Sequence, residues 1–131
     1  MAELRARPLS PHLTIWRWGP HMAVSILHRI TGGALTVAGL AALTWWLLAI
    51  AGSSDAYDEL AALAAHPAGI AVLIGLSWAF FQHLLSGVRH LVMDAGRAFE
   101  LGVNKRFALA TLVGSAVLTA ALWAYLLGVF Q

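Results

Sequence analysis

The segment HLLSGVRHLVMD, residues 83–94, places two histidines, an arginine and an aspartate at the end of a long apolar run. His83, Gly87, His90 and Asp94 follow at intervals of four, three and four residues, which brings them to one face of a helix. A neutral imidazole is a good ligand for haem iron. A glycine one turn along removes the side chain that would obstruct a flat macrocycle lying on the helix. His83 is therefore a candidate axial ligand; the alternative is an imidazole hydrogen-bonded to a neighbouring helix. Ionisable residues within an apolar span mark function without identifying it. At helical rise His83 sits roughly 10 Å deeper than His90, which falls near the head groups if the boundary lies at residues 91–94.

A second group stands in SILHRITGG, residues 25–33. Ser25 and Arg29 share a helical face, with His28 beside them. A hydroxyl and a guanidinium at a membrane interface suit a quinone carbonyl and the negative charge that develops on its reduction. Arg29 and Arg89 also fit the plainer role of flanking cations that snorkel to the head groups, and this is the expectation for Arg89. Asp94 is a candidate proton relay or the partner of an arginine. His28 lies a few residues inside the boundary and His83 about three turns in, so their imidazoles are expected to differ in depth by several Å. That leaves His28 and His90 for haem propionates and requires any second iron ligand to come from another subunit.

These groups need elements that hold them in lipid. The chain has 131 residues, 60% hydrophobic and only 11% charged, too apolar for a water-soluble domain of that size. Three runs, about 25–50, 67–92 and 107–130, are long enough to cross a hydrocarbon core as helices. Open strands would leave backbone groups unpaired in lipid, so the expected fold is all-α: an integral membrane anchor of three transmembrane helices, one domain over 1–131. All eight Lys and Arg lie before or early in the first run (Arg5, Arg7, Arg17, Arg29) or between the end of the second and the start of the third (Arg89, Arg97, Lys105, Arg106). The positive-inside rule then puts the N-terminus and the second loop in the cytoplasm and the C-terminus in the periplasm. The basic residues flank spans and form no stripe, so a nucleic-acid-binding role has no support.

With no cysteine, the sequence holds no disulfide, thiolate-bound iron–sulfur cluster or CxxCH haem attachment. Residues 1–20 show no continuous apolar core or small-residue cleavage site, so the first span is expected to direct insertion. Pro8, Pro11 and Pro20 predict an extended cytoplasmic arm over residues 1–21, with Trp16 and Trp18 at the interface. SSDAYDELAALAAH predicts a short surface helix capped by Ser54 or Asp55. Gly32, Gly33 and Gly39 with Thr36 and Ala38 give the first span a small-residue surface for helix packing.

RPLSPHLTIW (7–16), SILHRITG (25–32) and HLLSGVRHLVMDAG (83–96), in this order, resemble the cytochrome b556 large-anchor family of succinate dehydrogenase, respiratory complex II. With the three-span layout the resemblance extends over nearly the whole chain; Trp16 stands where many members carry tyrosine. It implies that His83 is an axial ligand of a haem b shared with a second, smaller anchor subunit. It also implies that Ser25 and Arg29 help form the ubiquinone site, and that His28 and Arg29, with His90, lie near the propionates. The implied partners are a flavoprotein with FAD and an iron–sulfur protein on the cytoplasmic side, docked partly by the arm. Their shared reaction passes electrons from succinate to quinone in a bacterial inner membrane. The chain carries no catalytic residue for succinate oxidation itself. Two alternatives stand beside this reading: an anchor of a menaquinone-linked fumarate reductase, and a structural or transporter accessory subunit whose histidines only hydrogen-bond.

Overall fold

The computed structural model describes residues 10, 12 and 14–128. Most of the expected arm, with Arg5, Arg7, Pro8 and Pro11, lies outside the described residues. Near its end the chain turns at residues 14–15, where the His12 carbonyl accepts from the Ile15 and Trp16 amides at 3.0 and 2.8 Å. Trp16 and Trp18 are exposed.

The first span is one continuous helical run, Pro20–Ala51, made of α1 (Pro20–Ala34), a π-helical turn (Leu35–Gly39) and α2 (Leu40–Ala51). It begins five residues before the predicted boundary, because Pro20 starts the helix instead of breaking it. At the first helical position proline's missing N–H is no loss and its fixed φ fits the helix. In the π turn the Leu40 amide reaches back five residues to the Leu35 carbonyl. Within it, the Thr36 hydroxyl donates back to the Gly32 carbonyl at 2.8 Å.

The surface helix is α3 (Ser54–Ala65), and its cap is Ser53, not Ser54 or Asp55. Ser53 has extended backbone and its Oγ accepts from the Ala56 amide at 3.3 Å; Ser54 and Asp55 occupy the first turn. His66 closes α3 and opens α4 (Pro67–Asp94). Its amide donates back to the Ala62 and Leu63 carbonyls, while its Nδ1 accepts from the Ala68 amide at 3.2 Å. At this corner a Cβ on Gly69 would lie 2.1 Å from the Leu63 carbonyl oxygen, so only glycine permits the approach. After α4 the chain reverses through Gly96, at φ +76°, into α5 (Leu101–Leu126). This third long helix starts six residues before the predicted 107, and Lys105 and Arg106 ride exposed on its first turns.

The three long helices pack side by side, each in contact with the other two, and all are long and apolar enough to cross a membrane. Their packing inverts that of a water-soluble bundle. Large apolar side chains such as Val37, Leu48 and Leu91 point outward, whereas Thr31, Gln82, Ser86, Arg89, Thr111, Ser115 and Thr119 are buried. Lipid solvates leucine as well as another helix does, so the contacts that favour association are close packing of small residues and hydrogen bonds between helices.

Between α4 and α5 these bonds form a seam. Trp123 Nε1 donates to Ser77 Oγ at 3.2 Å, Ser115 Oγ to Gln82 Oε1 at 2.7 Å, and Gln82 Nε2 to Ser86 Oγ at 3.0 Å. Gln82 is fully buried, and its amide links the two helices near their middle. Gln82→Leu should therefore destabilise the α4–α5 contact by about 1 kcal/mol. The check is thermal unfolding in detergent beside the lipid-facing Val117→Ala, which should move the midpoint less.

Candidate functional site

α1 and α4 run antiparallel and interlock through two histidine–glycine pairs. A Cβ on Gly32 would lie 2.9 Å from His83 Cε1, and a Cβ on Gly87 would lie 3.9 Å from His28 Nε2. Each helix thus inserts an imidazole where the other has no side chain, one turn from its own histidine. The small-residue surface of the first span is used here at Gly32, while Gly33 faces open space. The rings meet. His28 stacks on His83 with centroids 4.1 Å apart and planes 10° from parallel, and His90 lies against His28 at 5.0 Å and 45°.

The two rings, expected to be separated in depth, are thus in stacking contact. α1 starts at Pro20, which puts His28 about 12 Å into its helix; His83 lies about 16 Å from the last residue of α4, and side chains of this length close the remaining gap.

One contact sets the chemistry of His83. Its Nδ1 lies 3.1 Å from the His28 backbone carbonyl. A carbonyl only accepts, so Nδ1 carries the proton and Nε2 carries the in-plane lone pair. This orientation by a carbonyl is the usual arrangement behind a metal-bound imidazole. Thr31 Oγ1, 3.5 Å from Nδ1, already donates to the Leu27 carbonyl at 2.7 Å and adds little. Among the described residues Nε2 has no hydrogen-bond partner. The lone pairs of parallel stacked rings cannot point at one atom between them, so His28 and His83 do not clasp a common iron. No group of three or more His, Asp and Glu among the described residues is placed to hold a bare metal ion. The donor set fits a haem that takes one axial nitrogen from this chain.

Beside the histidines lies a cavity of about 310 Å³ whose lining includes Ser25, Arg89, His90, Met93 and Asn104. Recesses of about 440 and 530 Å³ at the α2–α3 corner are roomier, but the larger has an almost wholly apolar wall without a group for chemistry. Ser25 and His90 line one cavity across the α1–α4 contact. Arg29 is exposed and outside this lining. Asp94, the last residue of α4, is exposed too, and makes no ion pair among the described residues.

Arg89 overturns its expectation. It does not snorkel: it is 3% exposed, and its Nη2 donates to Asn104 Oδ1 on α5 at 2.6 Å. Asn104 Nδ2 in turn contacts Met93 Sδ at 3.4 Å. The reason lies in helical phase. Gln82, Ser86 and Arg89, spaced by four and three, form a second polar stripe next to the histidine stripe, and that stripe faces α5. Its partner, Asn104, Thr111, Ser115 and Thr119, has the same helical spacing in the third span, which is the signal that identifies it.

Residues 3–122 match the family described as Succinate dehydrogenase/Fumarate reductase transmembrane subunit. The chain is 42% identical over 112 residues to the succinate dehydrogenase cytochrome b556 subunit of Paracoccus denitrificans, covering 86% of this chain and 85% of that one. It is 38% identical to the protein of the same name from Rickettsia conorii, covering 89% and 90% of the two chains. The human mitochondrial succinate dehydrogenase cytochrome b560 subunit is 39% identical over 97 residues, 72% of this chain and 57% of that one. With three spans in the expected order and a match over nearly its full length, the chain belongs to the succinate dehydrogenase/fumarate reductase transmembrane-subunit family, among its cytochrome b556 subunits.

Proposed function

We propose that this chain holds haem b through His83 and binds ubiquinone through Ser25 and Arg29, as the large membrane anchor of a succinate:ubiquinone oxidoreductase. The observation that carries the reading is the His83 imidazole, oriented by the His28 carbonyl with its Nε2 unengaged on a helix long enough to span a membrane. In the assembly two electrons and two protons leave succinate as it becomes fumarate, and two electrons and two protons convert the quinone's carbonyls to hydroxyls. Bound haem b would supply a one-electron carrier within the membrane.

The remaining roles belong to side chains of this protein. Gly32 admits the His83 imidazole, which stacks on His28. His28, Arg29 and His90 supply donors for propionate carboxylates near the same level. The Ser25 hydroxyl orients a quinone carbonyl, and Arg29, exposed on this chain, presents its charge where a partner subunit completes the site. Asp94, exposed at the end of α4, is the candidate to exchange protons with water. The second haem ligand comes from a smaller anchor subunit, and the FAD flavoprotein and iron–sulfur protein dock on the side bearing the arm. By the distribution of Lys and Arg, that side is the cytoplasmic face of a bacterial inner membrane.

His83→Ala should abolish the b-type signal in a reduced-minus-oxidised spectrum of the purified complex; an undiminished signal would sink the ligand assignment. Gly32→Leu, which drives a side chain into the His83 ring, should lower haem content while leaving His83 in place; a full complement of haem would mean that the ring has room to move. Ser25→Ala and Arg29→Ala should slow quinone reduction roughly tenfold while succinate oxidation by an artificial acceptor continues. Equal loss in both assays would signal failed assembly.

A further inference from the structure

Arg89 is the only charged side chain buried among the described residues, and its charge is uncompensated there. Its one hydrogen bond goes to a neutral amide, Asn104 Oδ1, and its Nε is buried without a partner. No carboxylate among the described residues pairs with it. A guanidinium removed from water costs several kcal/mol unless an opposite charge or several acceptors replace its hydration. The neutral seam farther along α4 shows that helix packing here does not require a charge: Gln82 and Ser86 link to Ser115 by hydrogen bonds alone.

Arg89 lines the cavity of about 310 Å³ together with Ser25 and His90. Met22, Met93, Phe99 and Leu101 add apolar surface, and His21 stands with them in the wall. A flat apolar ring carrying an oxygen that gains negative charge matches this lining, with the polar groups for the oxygen and the rest for the ring.

We infer that Arg89 is a further quinone-site residue: a buried cation, held in place by Asn104, that stabilises the negative charge arriving on the quinone oxygen beside Ser25. The inference rests on the quinone reading and deepens it by adding a second cation to the exposed Arg29. Arg89 gives up no proton. It lowers the energy of the oxygen after an electron has arrived and before a proton reaches it, and the two electrons and two protons come from succinate oxidation and water as before. Asn104 is a positioning residue, because it touches only the guanidinium and Met93.

The test uses the complete complex with Arg89→Gln and Arg89→Lys. Glutamine still donates to Asn104 but has no charge; lysine keeps the charge. Arg89→Gln should lower kcat/KM for ubiquinone roughly tenfold or more, with kcat falling more than KM rises, while Arg89→Lys stays within about threefold of the parent. Haem content and succinate oxidation by an artificial acceptor should not change. Equal loss in the two variants, or none, overturns the inference. So does a shifted haem spectrum with unaltered quinone kinetics, which would assign the charge to a propionate.

Should Arg89→Gln fail to assemble, photolabelling of the wild-type complex with an azidoquinone decides. Label within residues 21–25 and 89–104 supports the site, and label confined elsewhere refutes it. Ser25→Ala separates the two levels. If it slows quinone reduction while Arg89→Gln does not, only the role of Arg89 fails; if neither does and the label misses this chain, the quinone reading fails with it.

Discussion

The crossing of α1 and α4 depends on one close approach: α1 gives up a side chain at Gly32 where α4 inserts the His83 ring. Gly32 receives His83 and Gly87 faces His28, so the backbones approach closely and the imidazoles stack at the contact. A side chain larger than hydrogen at Gly32 would meet the His83 ring at 2.9 Å, inside normal contact distance. The backbone carbonyl that orients His83 belongs to His28, the residue whose ring it stacks on. Packing, ring orientation and tautomer are thus set by one local geometry, and the cavity that holds Ser25 and His90 lies next to it.

The second organising constraint is the solvent. In a bilayer an outward leucine costs nothing and a buried hydroxyl must bond within the protein. The interior accordingly consists of threonine, serine, glutamine and one arginine, with Val24 and three alanines as the only buried apolar residues among those described. Several hydroxyls turn back to their own helix, as Thr119 does to the Ser115 carbonyl at 2.8 Å, while Gln82 and Ser77 reach across. α4 carries both kinds of contact on adjacent stripes, histidines toward α1 and amide, hydroxyl and guanidinium toward α5.

The three spans and the two polar clusters are legible in the sequence, because hydropathy over twenty residues and four-residue spacing survive without tertiary information. Ser25 and His90 share one cavity lining, whereas the stacking of His28 on His83 is not what their spacing suggests. Depth and facing are less legible. A proline reads as a breaker until the structure places it at the first helical position, and those five residues lengthen the helix that carries His28 to its contact with His83. Arg89 near a helix end has the same local sequence whether it reaches for head groups or for Asn104. Only the arrangement of α5, fixed by its own polar stripe, decides between them. The Ser53 cap differs from the prediction by a single position, since three consecutive residues, Ser53, Ser54 and Asp55, all have capping side chains.

The π turn at Leu35–Gly39 gives the first span two orientations instead of one. One extra residue in the turn advances the helix by about 100°, so the stripe that begins at Ser25, His28 and Gly32 does not continue straight to the far end. Below this phase slip the helix addresses α4 and α5; above it, α2 packs against the surface helix α3. A single rod thus serves two neighbourhoods whose side-chain periodicities need not agree.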